Sequence, residues 1–492
     1  MDEAINLYAI LGVPRDATHN EIRQAYHAAA RRLHPDVNKE PDAGTVFLKV
    51  QNAYETLSDP AERDKYNHSF YFENDTPPVI LNTIYSRSSL VQIDEPQLIY
   101  TLIEMKPIQT QEDGTQTPLN ICLVLDRSTS MQGLRLDVVK DTAIDLVHQL
   151  NPRDSLSIVS FSDQSEILIP AGLNVEKTNA ENRIRQLHAG GGTEIFRGLE
   201  AGYKEIRKNL RPSKINHLIL ITDGRTYGDE EQCLNLATSS AAIGIGFSGL
   251  GIGSQWNDAF LDDLANRSGG NCTYISSEND IAEFFKREFR SLNQVFAEGV
   301  TLDVETGSGV EIKYAFRLDP EISSLELTPP FPLGNIHNDT PLRVILEILV
   351  PKISSGTNQV TLAEGSFRLT IPSRKIPLYN MRVILGRPVT FIPSTSPPPP
   401  EIMIATERIT LYRMQEKARK EFGAGDIDKA TRHLENLASR LISHGQHKLA
   451  QTVSDEVENL RQQNKYSEEG EKKIKYGTRA LLLPGYTDGK IL

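Results

Sequence analysis

The chain has 492 residues, 39% of them hydrophobic and 24% charged, with 33 glycines and 27 prolines; that is a folded chain of two to four domains, and a disordered or fibrous one is excluded. A formal net charge of -12 argues against broad binding of a phosphate backbone, so nucleic acid is not an expected partner. The three cysteines, Cys122, Cys233 and Cys272, form no CxxC pair, which excludes a disulfide framework and a thiolate zinc site and points to a reducing compartment.

The N-terminal stretch MDEAINLYAILGV is acidic where a signal peptide is basic, and no apolar run reaches the length of a membrane span. A cytoplasmic protein with no membrane span is expected. Up to about Asn67 the pattern is one of short helices. Thr18-His19-Asn20-Glu21 opens a helix carrying Ile22, Ala25, Tyr26 and Ala29 on one face, which stops at Pro35. A second places Phe47, Val50, Ala53, Tyr54 and Leu57 at spacings of three and four, so the two can pack antiparallel. Ser58-Asp59-Pro60 then opens a last short helix with Arg63 and Tyr66.

From Pro78 to Pro107 the stretches VILNTIYS and QLIYTLIEM read as strands. Between Leu119 and about Asn293, apolar runs at Ile121–Leu125, Leu156–Phe161 and His217–Ile221 alternate with helical patterns, which predicts a doubly wound α/β domain. The strands VTLDVE, EIKYAFRL, LRVILEILV, SFRLTIP and MRVILG follow, and predict a sandwich that also takes in the strands before Pro107. The run Ser394 to Pro400 is an extended proline linker. Ala405 to Leu483 is helical by pattern, with breaks at Gly423-Ala424-Gly425 and His444-Gly445; without a repeat, a helical hairpin or bundle is expected. Lys472-Lys473-Ile474-Lys475 reads as a solvated face, and the Gly-rich tail as frayed.

His34, Pro35 and Asp36 lie at the tip between two antiparallel helices, where packing requires none of them. Proline ends the helix, while the imidazole and carboxylate suit a docking contact. With YAILGV, IRQAY, HPDVN, FLKVQNAYETLSDP and ERDKYN in order, residues 4 to 67 resemble a J-domain. The resemblance implies a non-enzymatic cochaperone that binds a DnaK-type chaperone ATPase and triggers ATP hydrolysis, with Asp36 meeting a basic group and His34 and Pro35 holding the loop. The second helix of that family presents a dense basic face. Here His27 and Ala28 stand where Arg and Lys are common, leaving Arg23, Arg31 and Arg32, so weaker and more selective docking is expected.

The strand ICLVL runs into Asp126-Arg127-Ser128-Thr129-Ser130, which aims a carboxylate and two hydroxyls at the crevice where such sheets bind ligands. Gly190-Gly191-Gly192-Thr193 adds a hydroxyl, and HLILIT leads into Asp223. These oxygens suit a hard divalent cation whose shell is completed by water or an external carboxylate, as Mg²⁺ permits. The arrangement resembles a von Willebrand factor type A domain with its metal-ion-dependent adhesion site (MIDAS). Its DxSxS motif maps to Asp126, Ser128 and Ser130, its threonine to Thr193 and its later aspartate to Asp223. The resemblance implies a binding module in which the metal, Mg²⁺ first and Mn²⁺ second, captures an acidic side chain of a protein client.

Gly244-Ile245-Gly246-Phe247-Ser248-Gly249 matches a dinucleotide fingerprint in letters, but it lies within a strand-like run instead of leaving a strand for a helix. His444 and His447 have poor metal spacing, and no nucleophile elbow, P-loop or HExxH occurs, so no enzyme is expected. The fold class is multidomain α+β. It comprises a helical J-domain (1–67), a type A domain (119–295) inserted in or flanked by a β-sandwich (78–118 and 296–393), a linker (394–400), a helical bundle (401–483) and a tail (484–492). The expected function is a J-domain cochaperone with metal-dependent client binding. The alternative is a metal-dependent scaffold or assembly factor whose J-domain acts locally.

Overall fold

The computed structural model describes residues 7–13, 17–33, 43–60, 62–63, 66, 77–108, 117–173, 175–225, 228–277, 280–320, 322–374, 377–393, 396–480, 486–487 and 490–491. Helices α1 (Leu7–Leu11), α2 (His19–Leu33) and α3 (Ala43–Ser58) form the N-terminal unit. Thr18 and Glu21 cap α2 reciprocally, side chain to backbone at 2.6 and 3.3 Å. The apolar stripes meet in a core of Tyr8, Leu11, Ile22, Ala29, Val50, Ala53 and Leu57, with Tyr26 stacked on Tyr54 at 4.1 Å. Asp59 caps the next turn through its side chain to the Glu62 N–H (3.0 Å), and Arg63 ties that turn to the Tyr8 hydroxyl (2.8 Å) and the Ala17 carbonyl (2.9 Å).

The β-sandwich has two five-stranded sheets. One runs β1 (Val79–Tyr85), β3 (Gln97–Pro107), β14 (Leu342–Val350), β11 (Glu311–Asp319), β12 (Ser323–Ser324); the other runs β13 (Phe331–His337), β10 (Val295–Thr306), β15 (Gln359–Thr370), β16 (Leu378–Thr390), β2 (Leu90–Val91). Strands from before and after the α/β domain share one sheet, since β3 pairs β14 with Ile103 opposite Val344. Ile99, Ile103, Leu302, Phe331, Val344 and Phe367 fill the space between the sheets.

Inserted between β3 and β10 is a six-stranded sheet, in the order β6 (Ser165–Leu173), β5 (Ser155–Phe161), β4 (Leu119–Asp126), β7 (Ile215–Thr222), β8 (Ile245–Ile252), β9 (Cys272–Ile275). All its pairs are parallel except β5 with β6. Helices α4 (Leu134–Gln149), α5 (Lys177–Arg185), α6 (Ile195–Lys208), α7 (Glu230–Ala241), α8 (Asp258–Arg267) and α9 (Ile281–Asn293) belong to this domain. Every residue of β4, β5 and β7 is buried, as apolar runs covered on both faces require. The Gly-rich fingerprint lies in β8 and just before it, where Gly246 leaves room for the imidazole of His217.

Helices α10 (Pro400–Gly423), α11 (Ile427–Ser443), α12 (His447–Gln463) and α13 (Glu468–Ala480) form the C-terminal unit, with Pro400 in the first turn of α10. Helix α10 lays Ile402, Ala405, Ile409 and Tyr412 on Leu102, Phe316 and Ile345 of the sandwich. Helix α13 packs on the α/β domain. The lysine stretch expected to be solvated is not a solvated face: Lys472 and Lys475 are 3% and 4% exposed. Positions 472, 475, 476 and 479 share one face of α13, and that face meets Asp258 and Asp262, one turn apart on α8. Lys475 Nζ lies 2.5 Å from Asp258 and 2.6 Å from Asp262, Arg479 donates twice to Asp262 (2.7 and 2.8 Å), and Arg419 donates twice to Asp258 (2.7 and 3.0 Å). Only Lys473 turns outward, to Glu469. Among the described residues of the tail, Tyr486–Thr487 pairs antiparallel with Lys490–Ile491.

Candidate metal centre at the carboxyl edge of the sheet

The sheet order reverses direction between β4 and β7, and both strands end in an aspartate, Asp126 and, one residue past β7, Asp223. A crevice opens at such a switch point because the connecting segments leave to opposite faces. Both carboxylates are 0% exposed. The Asp126 Oδ1 accepts the Ser128 N–H at 2.7 Å and Oδ2 the Thr222 hydroxyl at 2.6 Å. Burial nonetheless pushes the Asp126 carboxyl up to about 6, an effect that the Thr222 and Ser128 bonds oppose and the neighbouring Asp223 reinforces.

The Ser128 and Ser130 hydroxyls lie 3.0 Å apart, and Ser130 donates to Asp223 Oδ1 at 2.6 Å. Thr193 reaches the same place from the loop before α6, its Oγ1 3.0 Å from where a Cβ on Gly224 would stand. That loop is drawn onto the DxSxS turn: the Gly191 carbonyl accepts from the Thr129 N–H (3.1 Å) and hydroxyl (3.0 Å). Gly191 has φ +87°, and a Cβ there would come 2.5 Å from an Asp163 oxygen, so glycine is required at this step. Asp126, Ser128, Ser130, Thr193 and Asp223 thus surround one crevice.

Arg135, which sequence reasoning missed, donates through Nη1 to Asp223 Oδ2 at 2.6 Å. A signal for it existed. A cation in the first turn of a helix opposes the macrodipole by up to about 1 kcal/mol, a cost that a carboxylate beside it offsets. Thr222, the second acceptor-filling residue, has no such signal, since it reads as one more β-branched strand residue.

The donor set fits a divalent cation: two buried carboxylates that repel one another and three hydroxyls, all hard oxygens, with no thiolate or imidazole. Among the described residues no cluster of three or more His, Cys, Asp or Glu side chains offers a competing site. Of the residues expected to meet a chaperone ATPase, Arg23 and His27 are exposed on α2, four positions apart. Arg31 and Arg32 lie in the same helix with side chains outside the description, and His34, Pro35 and Asp36 lie outside the described residues.

The chain thus joins a helical N-terminal unit to an α/β domain with an oxygen-lined crevice at the carboxyl edge of its sheet. Family models give these their names: the chain carries a DnaJ domain at residues 6–67, a von Willebrand factor type A domain at 120–287 and, at 400–484, a domain described as Sll0103-like, C-terminal alpha-helical. It is 26% identical over 344 residues to the uncharacterized protein sll0103 of Synechocystis sp., covering 67% of this chain and 80% of that protein. It is also 53% identical over 60 residues to the chaperone protein DnaJ of Dictyoglomus thermophilum, 12% of this chain and 15% of that one. Its fold resembles that of a von Willebrand factor type A protein from Catenulispora acidiphila, with TM-score 0.66 and 16% identity over 84% of this chain and 99% of the other. The ArnB paralog VWA2 from Sulfolobus acidocaldarius follows at TM-score 0.53 and 14% identity, over 82% and 98%.

Proposed function

We propose that this protein is a non-enzymatic J-domain cochaperone that recruits and stimulates a DnaK-type ATPase and selects what is delivered to it through the type A domain. Asp126, Ser128, Ser130, Thr193 and Asp223 would hold a divalent cation, Mg²⁺ by the hardness of the donors, and the cation supplies an open position for an acidic side chain of a protein client. The observation that carries the reading is the convergence of these five oxygen donors on one crevice in a chain that also carries a DnaJ domain. Arg23, His27, Arg31 and Arg32, with the His34-Pro35-Asp36 loop, would form the ATPase contact. Three free, buried cysteines support action in a reducing compartment, the cytoplasm.

Capture from cell extract on the immobilised full chain, with Mg²⁺ and then with chelator, tests the division of labour. Partners held by the type A site are expected to leave with chelator and to be absent on Asp126→Ala, whereas a DnaK-type chaperone is expected to be lost only on His34→Gln. A partner set indifferent to both chelator and Asp126→Ala would remove the metal-dependent half of the reading. Refolding of an unfolded model client separates general delivery from a scaffold with a locally acting J-domain, which predicts no assistance.

A further inference from the structure

In the type A crevice the negative charge of Asp223 is already matched from within the chain. Arg135 stands second in α4, with its guanidinium 2.6 Å from Asp223 Oδ2, while the other oxygen takes the Ser130 hydroxyl. The arginine is 31% exposed on its side chain and the aspartate 0%, so the pair joins a buried carboxylate to a cation at the mouth of the crevice. Gly253, after β8, has φ +69°, and a Cβ there would come 3.3 Å from Arg135 Nη2. The macrodipole of α4 is unfavourable to a cation in its first turn, which Arg135 shares with Asp137.

Resting on the reading of this crevice as a cation site, we propose that Arg135 is a tethered counter-cation that weakens divalent-ion binding and favours an anionic ligand once the ion is in. Two carboxylates and one guanidinium leave the empty crevice with one net negative charge. A divalent ion then brings it to one net positive charge, which a client carboxylate neutralises. Without the arginine the same ion would cancel both carboxylates, and a further carboxylate would gain less. Arg135 therefore couples the two events: the crevice discriminates against an ion that arrives without an acidic ligand.

The test is calorimetric titration of Mn²⁺, and separately Mg²⁺, into the full chain and its Arg135→Gln and Arg135→Lys variants, with thermal unfolding in chelator and in saturating ion. Removing one positive charge from beside a divalent ion in a partly buried site is expected to tighten ion binding by about tenfold. Arg135→Lys, which keeps the charge, should bind within about threefold of the parent. Arg135→Gln should also unfold at a lower temperature than the parent in chelator, where Asp223 is left unmatched, and recover most of that loss with the ion. Equal or weaker ion binding by Arg135→Gln, or an equal thermal loss with and without ion, overturns the proposal. If neither the parent nor the variants bind an ion, the cation-site reading fails instead.

Discussion

Asp262→Ala is expected to release α13 from the type A domain and to cost about 3–5 kcal/mol of docking stability, because it strips a buried arginine of its carboxylate. Asp262 is the acceptor for both terminal nitrogens of Arg479, for Lys475 and, at 3.1 Å, for the Tyr476 hydroxyl. Burial pushes the Asp262 carboxyl up, but Arg479 and Lys475 outweigh it and hold the group below the usual carboxylate range. Asp258 behaves alike: burial raises it, and Lys475 and Arg419 bring it well below that range. With folded-state pKa values depressed, this stabilisation is complete above about pH 5 and declines progressively as the pH falls further. Asp263→Ala is the control one residue away, since its pair with Arg267 is partly exposed and worth under about 1 kcal/mol. Denaturant unfolding with limited proteolysis between α12 and α13 reads both. Equal, small losses for the two variants would show that the ion network does not hold the interface.

The consequence reaches the crevice. Lys472 lies 2.7 Å from the Trp256 carbonyl and also bonds that of Ser254, while Arg225, two residues past Asp223, pairs with Glu468 at 2.8 Å and with the Gln255 carbonyl at 2.9 Å. The C-terminal helices therefore grip the loops after β7 and β8, the same edge of the sheet that carries Asp223 and Gly253.

Asp126→Ala is expected to abolish divalent-ion binding by the full chain without unfolding it. The alanine relieves the burial of a carboxylate but leaves the Ser128 N–H and Thr222 hydroxyl without that acceptor, so the metal-free fold loses about 1–3 kcal/mol and stays folded, while the ion loses one of two charged donors. Calorimetry should show no ion-dependent heat for the variant. The thermal gain of the parent at one hundred times its dissociation constant, about 2.7 kcal/mol by linkage, should vanish with it. An unchanged gain would place the ion elsewhere.

The strands of the type A domain were legible because Ile121–Leu125, Leu156–Phe161 and His217–Ile221 are apolar on both faces. The oxygen donors were legible because each directly follows a strand or a glycine turn. The sandwich was readable across its interruption, and the register of β3 on β14 shows why: both segments are β-branched and aliphatic along most of their length. Strand β13 was not read, since Pro332 and Gly334 argue against a strand by local rules, and its neighbour β10 accommodates them through bulges. The α13 lysines were misread for a different reason. A run of charge is solvated unless a partner surface covers it, and the partner acids lie more than 200 residues earlier, on α8.

The most direct measurement is steady-state ATP hydrolysis by a DnaK-type chaperone in the presence of the full chain and its variants. The account predicts stimulation by the parent, equal stimulation by Asp126→Ala and none by His34→Gln. No stimulation by the parent, or loss of it on Asp126→Ala as complete as on His34→Gln, would contradict the separation of chaperone docking from metal-dependent client selection.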